Sequence, residues 1–275
     1  MKFSDVARYF DTDPVYDGYT AALLFRAQSA SFDDSTADGA TARRRVLSVA
    51  PGISMPARHV ISIYDERWLV GLGTVDGFEG SSIRQHYVMK RVTDQLAVLT
   101  PSQALAAAAG TTAYAHKVFL KDIVNSLTDS EYDPQYNIFF SPAEAVSKGT
   151  FLRDTAGNLY RVRNTYVPVE SLTVAQSDLL DAGARQTCVI NSGAYDPVTE
   201  AVTAGTTSVN AIWLDTPKFY RFRHLSDQRI EAGDRALFVP SNVAAGTTLT
   251  FDGALWVVLS SQPEGDAWAL HVRLA

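Results

Sequence analysis

Apolar runs of strand length, each cut off by glycine, proline or a polar turn, recur through residues 45–92 and again through residues 235–274. In the first stretch Val46, Leu47 and Val49 precede Pro51-Gly52. Residues 59–64 then alternate with period two, Asp65-Glu66-Arg67 makes a polar turn, and Trp68-Leu69-Val70 resumes the apolar pattern. Gly71, Gly73, Gly77 and Gly80 punctuate the next ten residues, and residues 83–92 supply a closing strand. In the second stretch residues 235–240, 247–251, 255–259 and 268–274 are strand candidates, with Gly246, Gly253 and Gly265 at the turns. A helix long enough to bury a face does not fit between such breaks. Short strands at this spacing predict a mainly β chain of small β-barrel or sandwich modules, with a few short helices.

The two stretches echo one another. Both begin Arg-x-Leu-x-Val (Arg45, Leu47, Val49 and Arg235, Leu237, Val239), pass a proline and a polar turn, and reach Trp-x-Val (Trp68, Val70 and Trp256, Val258). This pattern points to one small β module present twice. It divides the chain into residues 1–98 as an N-terminal helix and first barrel-like module, 99–185 as a mixed helix and hairpin segment, and 186–275 as a C-terminal barrel-like module. In the middle segment Thr100-Pro101-Ser102-Gln103 is a helix start that Gly110 ends. Ser141-Pro142-Ala143-Glu144 repeats the capping logic, and residues 174–180 read as a further helical turn or two closed by Gly183. A hairpin is expected over residues 150–163. Residues 29–41, rich in small and polar types, read as a loop. Phe3, Val6, Ala7 and Phe10 fall on one face at helical spacing. That face rests either on its own domain or on a neighbouring subunit, so Phe3, Val6 and Phe10 are candidate intersubunit contacts.

Composition and motifs argue against catalysis. With 24 Lys and Arg against 30 Asp and Glu the formal charge is −6, which disfavours non-specific wrapping of nucleic acid. Cys188 is the only cysteine, so neither an intrachain disulfide nor a multi-cysteine zinc site can form. It sits in a buried-strand pattern and reads as core, as do Trp68, Trp256 and Trp268. None of the five histidines lies in a metal-binding pattern, and His271 reads as a strand-surface residue. No nucleophile elbow, phosphate-binding glycine loop or complete dinucleotide fingerprint occurs. No cofactor or metal is expected. No apolar leader succeeds the first residues and no run of 18 apolar residues occurs, so neither a secretory signal nor a membrane-spanning helix is expected. Arg43, Arg44 and Arg45 form a local basic run, either a solvated strand edge or a contact with an acidic partner or DNA. Arg161 and Arg163, and likewise Arg221 and Arg223, alternate with apolar or aromatic residues. This arrangement packs one strand face and leaves guanidinium groups on the other, for a nucleic acid or for the carboxylates of an oligomer interface. The net charge favours the interface.

The strand run of residues 236–273 with Gly246, Trp256 and the closing Leu270-His271-Val272-Arg273, the echo at residues 45–90 and the hairpin at 150–163 together resemble the head-to-tail connector proteins of tailed bacteriophages. The likeness is to the head-closure or stopper group, and covers about half of the chain. It implies a homo-oligomeric ring of six or twelve copies in the virion neck, made in the host cytoplasm. Such a ring sits between a portal or adaptor protein and a tail protein, and touches packaged DNA in its channel. The chain is longer than simple members of that group, so a tail-terminator, minor tail or receptor- or carbohydrate-binding module stays open. The last would use Tyr132, Tyr136 and Phe139. Reversing the charge of Arg43, Arg44 and Arg45 is expected to impair a partner contact without unfolding the chain. Unchanged assembly and DNA retention in the triple variant would exclude that role.

Overall fold

The computed structural model describes residues 13–33, 44–49, 53–63, 65–78, 81–119, 136–168, 172–180, 183–196, 201–214 and 233–275. The described chain is mostly strand, and its helical content is one six-residue helix, α1 (Pro101–Ala106). Its cap is as expected: Thr100 and Gln103 bond reciprocally, and Pro101 opens the first turn.

The strands form three successive units. The first contains β1 (Asp13–Asp17), β2 (Leu23–Asp33), β3 (Arg44–Val49), β4 (Val60–Ile63), β5 (Glu66–Val70), β6 (Thr74–Phe78) and β7 (Ser81–Arg91). Its order is β3-β2-β1-β4-β5-β7-β6, and a further β3–β7 pairing joins six of these strands into a ring, with β6 added on β7. The second unit is a closed barrel of β8 (Asp94–Leu99), β9 (Thr111–Phe119), β10 (Tyr136–Phe140), β11 (Phe151–Asp154), β12 (Leu159–Tyr166) and β13 (Thr173–Leu179). The third is a closed barrel of β14 (Arg185–Asp196), β15 (Ala201–Leu214), β16 (Arg235–Val239), β17 (Thr248–Phe251), β18 (Ala254–Glu264) and β19 (Ala267–Leu274).

All three rings have one topology. Numbering six strands within each unit and leaving β6 aside, the order around every ring is 1-2-3-6-5-4, antiparallel throughout. The backbone bonds repeat with it. The turn before strand four is closed by His59 N–H to the Pro56 carbonyl at 2.8 Å, Thr150 to Ser147 at 3.1 Å, and Thr247 to Ala244 at 3.2 Å. The carbonyls of His59, Thr150 and Thr247 then accept from Val70, Val162 and Val258 on strand five. The residue after strand six donates back to strand five in each unit: Val92 to Arg67, Leu180 to Leu159, Ala275 to Leu255. The sequence echo therefore spans strands three to five of the first and third barrels. The middle barrel is a third instance, with Tyr136, Ile138, Phe140, Tyr160 and Val162 at the echo positions.

Several expectations for the middle segment are corrected by this topology. It is a barrel, and it begins with β8, inside the range assigned to the first module. Residues 174–179 of this stretch are strand, because β13 is sandwiched between β10 and β12 in the ladder. Residues 141–149 form turns and no helix: Glu144, the expected capping residue, bonds instead to side chains of the first barrel. The segment read as a loop from residue 29 continues as strand to Asp33. The hairpin at 150–163 is present as β11 and β12, turning through Gly157 at φ 90°.

Alternation along each strand separates an inner core from an outer face. Trp68, Ile61, Ile63, Leu47 and Met89 fill the first barrel, Leu96, Ile138, Phe140, Leu152 and Val162 the second, and Cys188, Leu237, Leu249, Val258 and Leu270 the third. Trp256 and Trp268 are half-buried against the third core. The β14–β15 ladder runs past the barrel, from Ser192 opposite Gly205 to Asp196 opposite Ala201, as a two-stranded arm. Trp68 is 1% exposed, so Trp68→Ala is expected to cost about 3–5 kcal/mol in chemical denaturation, with an unchanged dependence on denaturant. A loss under 1 kcal/mol would show that the first barrel does not depend on this ring.

Candidate functional site

Functional groups concentrate at the two seams between successive barrels. Outward positions on strands four and five of the first and second barrels meet strand three of the barrel that follows. At the first seam Val60 and Leu69 pack with Leu172, bordered by Tyr19, Val92, Tyr114 and Phe139. At the second, Phe151, Leu99, Leu105 and Leu180 pack with Ile212, Leu214, Phe238, Ala267 and Ala269. The register makes these contacts equivalent: Val60 is opposite Leu69 on its hairpin as Phe151 is opposite Arg161.

Each seam holds a cation over the ring that strand three of the following barrel supplies. The Lys90 ammonium lies 4.4 Å from the centre of the Phe139 ring, and the Arg161 guanidinium 5.2 Å from that of Phe238. Each also has an arginine–glutamate pair that crosses it. Arg58 Nη2 is 2.7 Å from Glu144 Oε1, which accepts as well from the Tyr19 hydroxyl at 3.0 Å. Burial, with the Glu144 charge beside it, raises the Tyr19 pKa. Arg161 Nη2 is 2.9 Å from Glu264 Oε1. Asp266 accepts from the backbone and hydroxyl of Ser102 at the start of α1. Burial pulls its pKa upward, but these bonds outweigh it and hold the carboxyl below its usual range. A groove of about 500 Å³ opens beside this seam, lined by Thr100, Gln103, Lys148, Gly149, Glu264 and Asp266 among others.

A separate cluster braces the second barrel. Lys117 Nζ lies 2.9 Å from Asp94 Oδ1 and 3.1 Å from the Tyr160 hydroxyl, which donates to Asp154 at 3.0 Å. Burial alone would lower the Lys117 pKa; the bonds to Asp94 and Tyr160 outweigh it and keep the ammonium charged. In the third barrel Asp234 is held by His271 at 2.8 Å and by Arg273 at 2.8 and 2.9 Å. His271 is therefore a buried residue hydrogen-bonded to Asp234, not the surface histidine that its alternating strand suggested.

The other candidates are scattered. Arg161 is 4% exposed and lies between barrels two and three, paired with Glu264. Arg163 pairs with Asp178 at 2.7 Å. Arg44 and Arg45 lie in β3. Arg43, Arg221, Arg223, Phe3, Val6, Phe10 and Tyr132 lie outside the described residues. Cys188 is fully buried, and burial pushes its thiol up to about 11, away from nucleophilic use at neutral pH. Tyr136 and Phe139 are on opposite faces of β10, Tyr136 stacking with Phe119 and Tyr160 and Phe139 facing the first seam, so they form no shared platform. No group of three metal-ligating side chains occurs among the described residues. No helix of the described residues is long and apolar enough to cross a membrane.

Sequence reasoning missed Glu144, Glu264, Lys90 and Phe238 as seam residues. The available signal was the outward position of each on a period-two strand or its adjoining turn. No family model, curated protein or solved structure matches the chain.

Glu264→Ala removes the partner of a buried guanidinium and is expected to destabilise the chain by about 3 kcal/mol. Replacing Arg161 by Met in the same chain should restore most of that loss. A double-mutant cycle with no coupling between the two positions would exclude the pair as a seam lock.

Proposed function

We propose that this chain is a non-catalytic assembly protein of the tailed-phage neck, of the head-closure kind. It forms a ring of six or twelve copies between portal or adaptor and tail. The observation that carries the structural half of this reading is the use of the buried charge. At both seams ionic and cation–aromatic contacts fasten barrel to barrel, and the Lys117 and Asp234 clusters brace single barrels. Three barrels fixed in this way make a stiff subunit suited to transmitting load. The β14–β15 arm extends from that subunit beyond its own barrel, as a subunit of a closed ring requires for contacts between unlike patches. The neck assignment itself rests on the sequence resemblance.

An exposed Phe119 beside half-buried Tyr136, ring centres 5.2 Å apart, favours a second reading as a carbohydrate-binding module. The two are separated by native mass measurement with negative-stain imaging of the purified chain, alongside a glycan-binding screen. The ring reading expects closed assemblies of six or twelve copies and no glycan bound. A single copy at all concentrations, with a glycan bound through Phe119, would replace it with the second.

A further inference from the structure

The seam-forming face exists three times, and the described chain covers two of the three. On the third barrel the register places Thr248, Leu255, Val257, Arg273 and Ala275 where the first has Val60, Arg67, Leu69, Lys90 and Val92. Val60, Leu69, Phe151 and Arg161 are buried at their seams, whereas their equivalents on the third barrel, Thr248 and Val257, are only half-buried, and Leu255 beside them is 47% exposed. The face keeps part of the first seam's composition, apolar side chains on strand five and a cation on strand six, with Thr248 in place of Val60 on strand four. Arg273 retains 31% side-chain exposure while bound to Asp234.

The occupants of the equivalent faces define what fits here. Each takes a phenyl ring beside a cation, and a carboxylate for an arginine. A first barrel from another copy is a poor match on its strand three. Its register puts Ser48 opposite His86, where the second and third barrels have Phe139 opposite Val174 and Phe238 opposite Ala269. Residues 1–10, which precede β1 and lie outside the described residues, carry the matching chemistry. Phe3, Val6 and Phe10 share one face at helical spacing, and Asp5 adds a carboxylate. The twelve residues before β1 span up to about 40 Å when extended, enough to leave their own barrel.

We infer that the outward face of the third barrel, around Leu255 and Val257, receives residues 1–10 of a neighbouring copy. The contact joins unlike surfaces, as a ring requires, and in naming that contact the inference rests on the ring reading. Sedimentation velocity of the full-length chain tests it. Val257→Asp and Leu255→Glu are each expected to reduce the assembly to single chains, with thermal unfolding unchanged. Excess synthetic peptide of residues 1–12 should disperse the wild-type assembly, and the same peptide with Phe3→Ala and Phe10→Ala should not. The peptide arm involves no substitution in the folded chain. A wild-type chain that stays single overturns the inference. So does an assembly indifferent to both face variants, or one that the peptide leaves intact. A non-ring assembly that obeys the face variants and the peptide removes the neck reading and keeps this contact; a ring indifferent to them does the reverse.

Discussion

Six short strands closed in the order 1-2-3-6-5-4 leave every strand residue pointing either into the ring or away from it. A ring of this size buries only what its small interior holds, so each barrel alone has a thin core. The remaining apolar area lies outside, on strands four and five. Burying a phenylalanine such as Phe151 or Phe238 fully is worth about 1.5–3 kcal/mol relative to exposure, and each is buried only because the other barrel is there. Docking is thus part of folding. The short links, Val92-Thr93 between β7 and β8 and residues 180–184 between β13 and β14, keep each outward face within reach of the next barrel.

The seams then set where charge can go. A buried guanidinium costs several kcal/mol unless it is matched in place. Arg161 meets that requirement twice, through Glu264 and through the Phe238 ring. The first seam reaches the same end with other residues. Leu69 occupies the position of Arg161, the cation moves to Lys90 on the neighbouring strand, and the carboxylate is Glu144, in the loop after β10. Two solutions at one geometry separate what the fold requires, a cation beside a ring and a crossing ion pair, from the identity of any single residue. They also fix the angle between barrels more tightly than apolar contact would, because a cation–ring contact and an ion pair are directional where hydrophobic burial is not.

The β class was legible because turn residues interrupt the chain more often than a helix tolerates, and because Trp68 and Trp256 mark the same place in strand five. The middle barrel was not legible. Its strand five reads Tyr160-Arg161-Val162, so a tyrosine hides the tryptophan, and the seam has put an arginine where periodicity asks for an apolar or solvated residue. Strand six there carries Ala175 and Ser177, weak strand formers that only the ladder to β10 and β12 holds extended. Glu144 failed as a helix cap for a related reason: long-range bonds to Arg58 and Tyr19 outweigh a local one. The seam residues were visible as types but not as partners. Glu144 and Arg58 are 86 positions apart and Arg161 and Glu264 are 103 apart. No local pattern encodes such a pairing.

The repeat also gives the array a direction. Every barrel offers its strands four to six forward and its strand three backward, so successive barrels stack by the same operation. In repeat proteins the end units differ from the inner ones, because an end face meets solvent or another molecule. The first barrel shows the backward end of such a stack: strand three carries Ser48 at the position that is phenylalanine in both later barrels. The third barrel changes only in part at its forward end, where Thr248 stands at the position of Val60 and Phe151. It keeps Val257 and a strand-six cation, the pattern that binds in the first seam, and adds Leu255 where the first barrel has Arg67. A face meant for water would have lost those apolar residues at no cost to the core, since they point away from it. Their retention is what the proposed contact with a neighbouring copy would account for.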